Sequence, residues 1–195
     1  MQVVVVLAHP NSDSFSHAIA ERACTGLRAA GHQVQLLDLY GLGFRAAMSR
    51  DDHVAYHGDH PAIDPMVAEH GAHVQRADAL VFVYPTWWST MPAMLKGWLE
   101  RVMVPGVAFV FNSKGKVRPG LGNVRRIVGI SVYGSPRAYV RFVNDNGRRT
   151  ITRALRLNTG IRTRTSWLAL YAIDTSTATQ RDSFLDRVEQ KMRAL

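Results

Sequence analysis

The 195-residue chain carries one cysteine, Cys24, which excludes an intramolecular disulfide and fits a reducing compartment. Cys24 falls within an apparent amphipathic helix and reads as core packing rather than as a reactive thiol. No apolar segment approaches the roughly 20 residues that span a bilayer. The apolar run at residues 3–8 has no basic leader and meets His9-Pro10 too soon for a signal peptide, so a cytoplasmic protein is expected. Neither G-x-G-x-x-G nor G-x-x-x-x-G-K-[ST] occurs, which removes the dinucleotide fingerprint and the P-loop. There is no low-complexity tract, repeat or linker. At 47% hydrophobic and 20% charged, the composition is that of one domain, residues 1–195, with a real core.

Acidic side chains are also in short supply. Fifteen Asp and Glu face 24 Lys and Arg, a net charge of +9. Such a balance suits nucleic acid, an anionic membrane surface or an anionic cofactor. Much of the excess lies beyond residue 114, dispersed through apparent secondary structure as Arg125-Arg126, Arg137, Arg141, Arg148-Arg149 and Arg153 rather than gathered in a tail. Most of it reads as a solvated face, with some available to dinucleotide phosphates. No recognised nucleic-acid motif occurs, which disfavours a nucleic-acid partner.

Apolar runs alternate with amphipathic stretches along the whole chain. Strands are expected at residues 2–8, 32–38, 79–84, 126–132 and 162–172, and helices at 14–30, 65–76, 91–102 and 144–159. A last helix is expected to be capped by Asp174 or Thr175. Residues 42–72 read as a long excursion with short helical turns, and residues 105–123, rich in glycine, as an extended loop. Strands separated by helices imply an α/β three-layer sandwich, a five-stranded parallel sheet with helices on both faces.

Three loops should therefore leave the sheet at its carboxyl edge, where open α/β sheets bind ligands. The first, residues 9–16, crowds His9, Ser14 and Ser16 at a helix start. That place suits either an anion or a simple helix cap. The second, Pro85-Thr86-Trp87-Trp88-Ser89, sets paired indoles in a turn, as a flat conjugated ligand requires, although tryptophan pairs also serve cores. The third, residues 131–139, offers Ser131, Gly134 and Ser135 with Tyr133 and Tyr139.

Taken in order, Ala8–Ser16 (A-H-P-x-x-x-S-F-S), residues 84–102 (Y-P-x-W-W-x-x-x-P-A-x-L-K-G-W-x-E-R-V) and residues 134–139 (G-S-P-R-A-Y) resemble the flavodoxin-like NAD(P)H:quinone oxidoreductases. That group includes the modulator-of-drug-activity proteins and the ancillary oxidoreductases of potassium-efflux systems. The resemblance implies a flavodoxin-like sheet of order 2-1-3-4-5 and a bound flavin, FAD favoured and FMN possible. His9, Ser14, Phe15 and Ser16 would hold its phosphate or ribityl side, and Pro85, Thr86, Trp87 and Trp88 its ring. Ser131, Gly134, Ser135 and Tyr139 would line the pyrimidine end and the substrate cavity, with Tyr139 catalytic; Arg137 is taken as the second catalytic residue, with Arg141 or a helix terminus as the alternatives. No metal is implied. Lys96, Gly97 and Trp98 would set helix packing and subunit contact. The implied activity is two-electron hydride transfer from NADPH or NADH, through flavin N5, to a quinone by ping-pong turnover in a homodimer. The alternative is a flavin-bearing regulatory partner of a potassium-efflux transporter. One departure stands out: Asp145 occupies the place of a histidine that steadies charge on the reduced flavin in longer members.

Overall fold

The computed structural model describes every residue except 57, 59 and 60, which fall inside the expected excursion at 42–72. The sheet is built from β1 (Gln2–Leu7), β2 (Gln33–Asp38), β3 (Ala79–Thr86), β6 (Arg126–Tyr133) and β7 (Arg164–Leu170). Its order is β2-β1-β3-β6-β7, all parallel, which is the expected 2-1-3-4-5 once only core strands are counted. The central strands are apolar at nearly every position because both of their faces are covered. Val3, Val5 and Leu7 pack with α1 (Phe15–Ala29) and α7 (Ala178–Arg193). Val4 and Val6 pack on the other side with α3 (Pro65–Arg76) and α4 (Ala93–Val102).

Several expected boundaries change. The glycine-rich stretch at 105–123 is not all loop, because β4 (Phe109–Phe111) and β5 (Val117–Pro119) pair there as an antiparallel hairpin. A short helix, α5 (Arg137–Phe142), follows Pro136, where only loop was expected. The last helix is capped by Thr177 rather than by Asp174 or Thr175. Its hydroxyl accepts the Gln180 N–H while the Gln180 side chain accepts the Thr177 N–H, so two orphan amides are satisfied together. The expected helix at 144–159 is composite: α6 (Asn146–Arg149) continues through a π-helical turn, Thr150–Ala154, into a 3₁₀ turn, Leu155–Asn158.

The expected packing role of Gly97 and Trp98 has a plain basis. A Cβ on Gly97 would stand 2.2 Å from the Ala46 carbonyl oxygen, so only glycine lets α4 approach that loop. Trp98 is fully buried, and its indole N–H donates to His70 Nδ1 at 3.1 Å. Lys96 instead points outward and pairs with Glu100 one turn on.

One turn beyond Trp98, the guanidinium of Arg101 is buried and ties down the excursion. It donates to Asp52 at 3.2 Å, to Asp64 at 3.0 Å and to the Arg45 carbonyl at 2.6 Å. Asp52 belongs to α2 (Arg50–Ala55), and Asp64 caps α3. Burial alone would raise both carboxyls. Hydrogen bonds from Ser49 and Arg101 to Asp52, and from Arg101 and the Met66 N–H to Asp64, outweigh it and leave both below the usual carboxylate range. A depressed carboxyl stabilises the fold above its unfolded pKa and loses that contribution as pH falls through the folded value. Arg101→Ala, which strands two shielded carboxylates, should therefore cost about 3–5 kcal/mol at neutral pH. The deficit relative to the unaltered chain should shrink in acid as both aspartates protonate, a comparison that urea titrations at pH 7 and pH 3 provide.

Candidate active site

The carboxyl ends of β1, β3 and β6 lie side by side. The Ala8 N–H donates to the Val83 carbonyl at 3.1 Å, and Thr86 stands in register with Tyr133. The three loops therefore converge, each by a different local device.

In the first loop, Ser14 is the N-cap of α1. Its hydroxyl oxygen accepts the His17 N–H at 3.4 Å and lies 3.0 Å from His17 Nδ1. His17 Nε2 is in turn 3.2 Å from Asp38 Oδ2, at the end of β2. Cap, imidazole and carboxylate thus form a short chain that fixes the helix start. Sequence reasoning missed His17 and Asp38, although the spacing from Ser14 to His17 is that of a cap and its N3 position. The amides of Phe15 and Ser16 have no internal acceptor among the described residues, so the anion-ready groups here are backbone donors at the positive end of a four-turn helix. Phe15 turns its ring inward against Phe184, and Ser16 is buried. His9 Nδ1 is 3.1 Å from both the amide nitrogen and the carbonyl oxygen of Asn11. Burial holds the His9 imidazole below its usual value and so favours the neutral ring, against a smaller opposing effect of the Asn11 bond.

The second loop is a tight hairpin turn. The Trp87 N–H donates to the Thr90 carbonyl at 2.9 Å and the Thr90 N–H returns to Trp87 at 3.0 Å. Between them Trp88 and Ser89 both take the left-handed conformation, with φ of 50° and 58°. That pair is the signature of a type I′ turn, which favours Asn-Gly, so a bulky Trp-Ser there is strained. The amides of Trp88 and Ser89 point away from the turn without an internal acceptor among the described residues. The two indoles part company. Trp87 lies 5.8 Å from the His9 ring and so joins the first two loops, whereas Trp88 is 99% exposed. Pro85 is buried in β3 and touches the site only through the backbone it sets.

The third loop closes a cleft of about 240 Å³ whose walls include Thr86, Trp88, Gly134, Ser135 and Tyr139. Tyr139 is half-exposed on α5 and presents its phenol there. Gly134 leaves room for Asp174, since a Cβ would come within 2.9 Å of that carboxylate. Ser131 is fully buried and exchanges a hydrogen bond of 2.9 Å with Thr86, so it clamps β3 to β6 below the cleft rather than lining it. Arg137 is not a lining residue of this cleft and borders a neighbouring one instead. Asp145, in the place where the resemblance suggested a histidine, also lies there. Both of its oxygens are 3.2 Å from the Tyr133 hydroxyl. Burial pushes the Tyr133 phenol well above its ordinary value, so it stays protonated and donates.

Residues 1–194 match the model of a family described by its flavodoxin-like fold. The chain belongs to this family. Among characterised relatives, NAD(P)H dehydrogenase (quinone) 1 of Rattus norvegicus is 29% identical over 153 residues, which cover 71% of this chain and 56% of that protein. The chain thus spans little more than half the length of that relative. Among solved structures, Smu.1420 from Streptococcus mutans UA159 superposes with a TM-score of 0.86 at 27% identity over the whole of both chains. An NAD(P)H:quinone oxidoreductase from Methanothermobacter marburgensis gives 0.76 at 25% identity, covering 98% of this chain and 94% of that one. No helix among the described residues is long and apolar enough to cross a membrane.

Strain at the tryptophan turn makes a direct prediction. Replacing Trp88-Ser89 by Asn-Gly should stabilise the flavodoxin-like chain by about 1 kcal/mol, because the new pair adopts the left-handed conformation readily. Urea titration of the double variant measures the gain, and a loss of stability would show that the turn is not strained.

Proposed function

We propose that the chain is a flavin-dependent NAD(P)H:quinone oxidoreductase. One observation carries this reading: a helix start with unsatisfied amides and an aromatic-walled cleft stand on the same sheet edge, joined by the contact of His9 with Trp87. A ligand with an anionic tail and a flat, hydrogen-bonding ring fits that pairing.

The donor set suits a flavin in detail. The free amides of Phe15 and Ser16 would hold its phosphate, with Ser14 fixing the helix start and His9 bordering the tail. The free amides of Trp88 and Ser89 would meet acceptor atoms at the ring edge, and the exposed Trp88 indole would cover a ring face and exclude water. Gly134 and Ser135 would border the pyrimidine end, above the Thr86–Ser131 clamp. A surplus of arginines, enough to meet a second phosphate, favours FAD over FMN. A bound flavin supplies hydride acceptance and donation at N5. The chain positions the reactants, and the Tyr139 phenol offers a donor to the oxygen of an acceptor. NAD(P)H and quinone would alternate over the exposed face of the bound ring, giving ping-pong turnover. Large exposed apolar side chains, Trp88, Phe111 and Phe142 among them, suit a homodimer in which a second copy covers part of the site.

Purified protein should be yellow, should bleach anaerobically with NAD(P)H, and should turn over with menadione in parallel-line kinetics. Mass spectrometry of the released cofactor distinguishes FAD from FMN. Trp88→Ala should weaken flavin retention at least tenfold. Colourless protein that neither FAD nor FMN reconstitutes would overturn the reading.

A further inference from the structure

Beside the ring cleft lies a second one of about 270 Å³, and Val140 of α5 borders both. Its character is very different. Five arginines line it: Arg137 and Arg141 from α5, Arg148 and Arg149 from α6, and Arg153 from the π-helical turn. None of the five guanidinium groups has a carboxylate within ion-pair distance among the described residues.

Among the described residues, four arginines elsewhere, Arg22, Arg45, Arg101 and Arg193, have carboxylate partners. Arg22 bonds Asp186 and Glu189, Arg101 bonds Asp52 and Asp64, and Arg193 bonds Glu189. In the second cleft the one acid is Asp145, and its carboxylate is already engaged by the Tyr133 hydroxyl and the Arg148 N–H. A single carboxylate cannot balance five guanidinium groups, so the wall holds a concentrated positive field that an anion would relieve. Arg148 and the backbone that carries it are held in place. Arg148 lies over the Trp167 ring at 6.0 Å, and α6 docks so closely on β3 that a Cβ on Gly147 would meet the Tyr84 hydroxyl at 3.0 Å. Guanidinium forks match phosphate oxygens in pairs, and a π-helical turn within such a segment is a frequent mark of a functional site.

We propose that the arginine cleft is a phosphate site that takes the phosphate monoester of a nucleotide. Two sources carry that chemistry: the 2′-phosphate of NADPH reaching around α5 from the ring cleft, or a separate nucleotide bound beside it. The first source rests on the NAD(P)H reading above, whereas the phosphate site itself does not.

The test uses the full chain and two double variants drawn from different elements, Arg148→Gln/Arg149→Gln and Arg137→Gln/Arg141→Gln, with thermal unfolding to verify that both fold. Calorimetric titration with 2′,5′-ADP should show binding at least tenfold tighter than that of adenosine, weakening with added salt, and each variant should lose at least tenfold. A parallel fall of at least tenfold in the ratio of kcat/KM for NADPH to that for NADH would assign the site to the co-substrate. Loss of 2′,5′-ADP binding with that ratio unchanged would assign it to a separate nucleotide. Failure of the unaltered chain to prefer 2′,5′-ADP over adenosine, or variants that bind it as well as the unaltered chain, would overturn the proposal. A chain that binds 2′,5′-ADP yet oxidises neither dinucleotide would uphold the phosphate site and sink the oxidoreductase reading.

Discussion

The parallel pairing of β3 with β1 on one side and β6 on the other is the constraint on which the candidate site depends. Parallel strands deliver their carboxyl ends to one edge, so loops that are far apart in sequence must meet there. The register has little freedom. Alternate residues of each strand belong to opposite core layers, and a slip of one residue would exchange the two layers. At the edge itself the Thr86–Ser131 hydrogen bond fixes β3 against β6 within one residue of the tryptophan turn and two of Tyr133. The strain in Trp88 and Ser89 is tolerable because it is anchored to this rigid base.

The same physics decided what could be read from the sequence. The buried strands were legible because covering both faces leaves no polar position to confuse the pattern, and the tryptophan turn because a strand, a proline and two indoles leave few alternatives. The β4–β5 hairpin was hidden by its own exposure: Val110, Phe111 and Val117 face outward, three-residue strands have no period to detect, and Gly115 reads as loop. The helix α5 was masked by Ser135-Pro136, although proline with fixed φ precedes a helix readily. That omission explains why Arg137 lies apart from Tyr139, whereas Ser131 leaves the cleft lining because it is buried against Thr86. As an extended loop, residues 137 and 139 share a side; as a helix, turning roughly 100° per residue, they are about 200° apart. Tyr139 therefore borders the ring cleft, while Arg137 joins Arg141, one turn on, at the second cleft.

The charge balance also changes meaning in three dimensions. Counted along the chain, the surplus of basic residues after position 114 was dispersed and looked like a solvated face. Folding gathers Arg137, Arg141, Arg148, Arg149 and Arg153 from three consecutive segments around one concavity. Self-repulsion at such a wall costs stability unless an anion offsets it, and Asp145 is the one acid that faces the five guanidinium groups there.

Asp145 links the two clefts. Its backbone is left-handed, with φ of 43°, directly after Asn144 at 78°, so the chain reverses sharply between α5 and α6. That reversal sets the carboxylate under the Tyr133 hydroxyl and on the arginine wall together. A histidine there would add a further cation beside Arg148 and Arg149 whenever it was protonated. An aspartate instead accepts from Tyr133, holds the start of α6 through the Arg148 N–H, and leaves the guanidinium groups an unmet positive charge. Asp145 thus shapes the electrostatics next to the aromatic cleft. The neutral, aromatic cleft and the cationic one are two halves of a surface suited to ligands that are flat at one end and phosphorylated at the other.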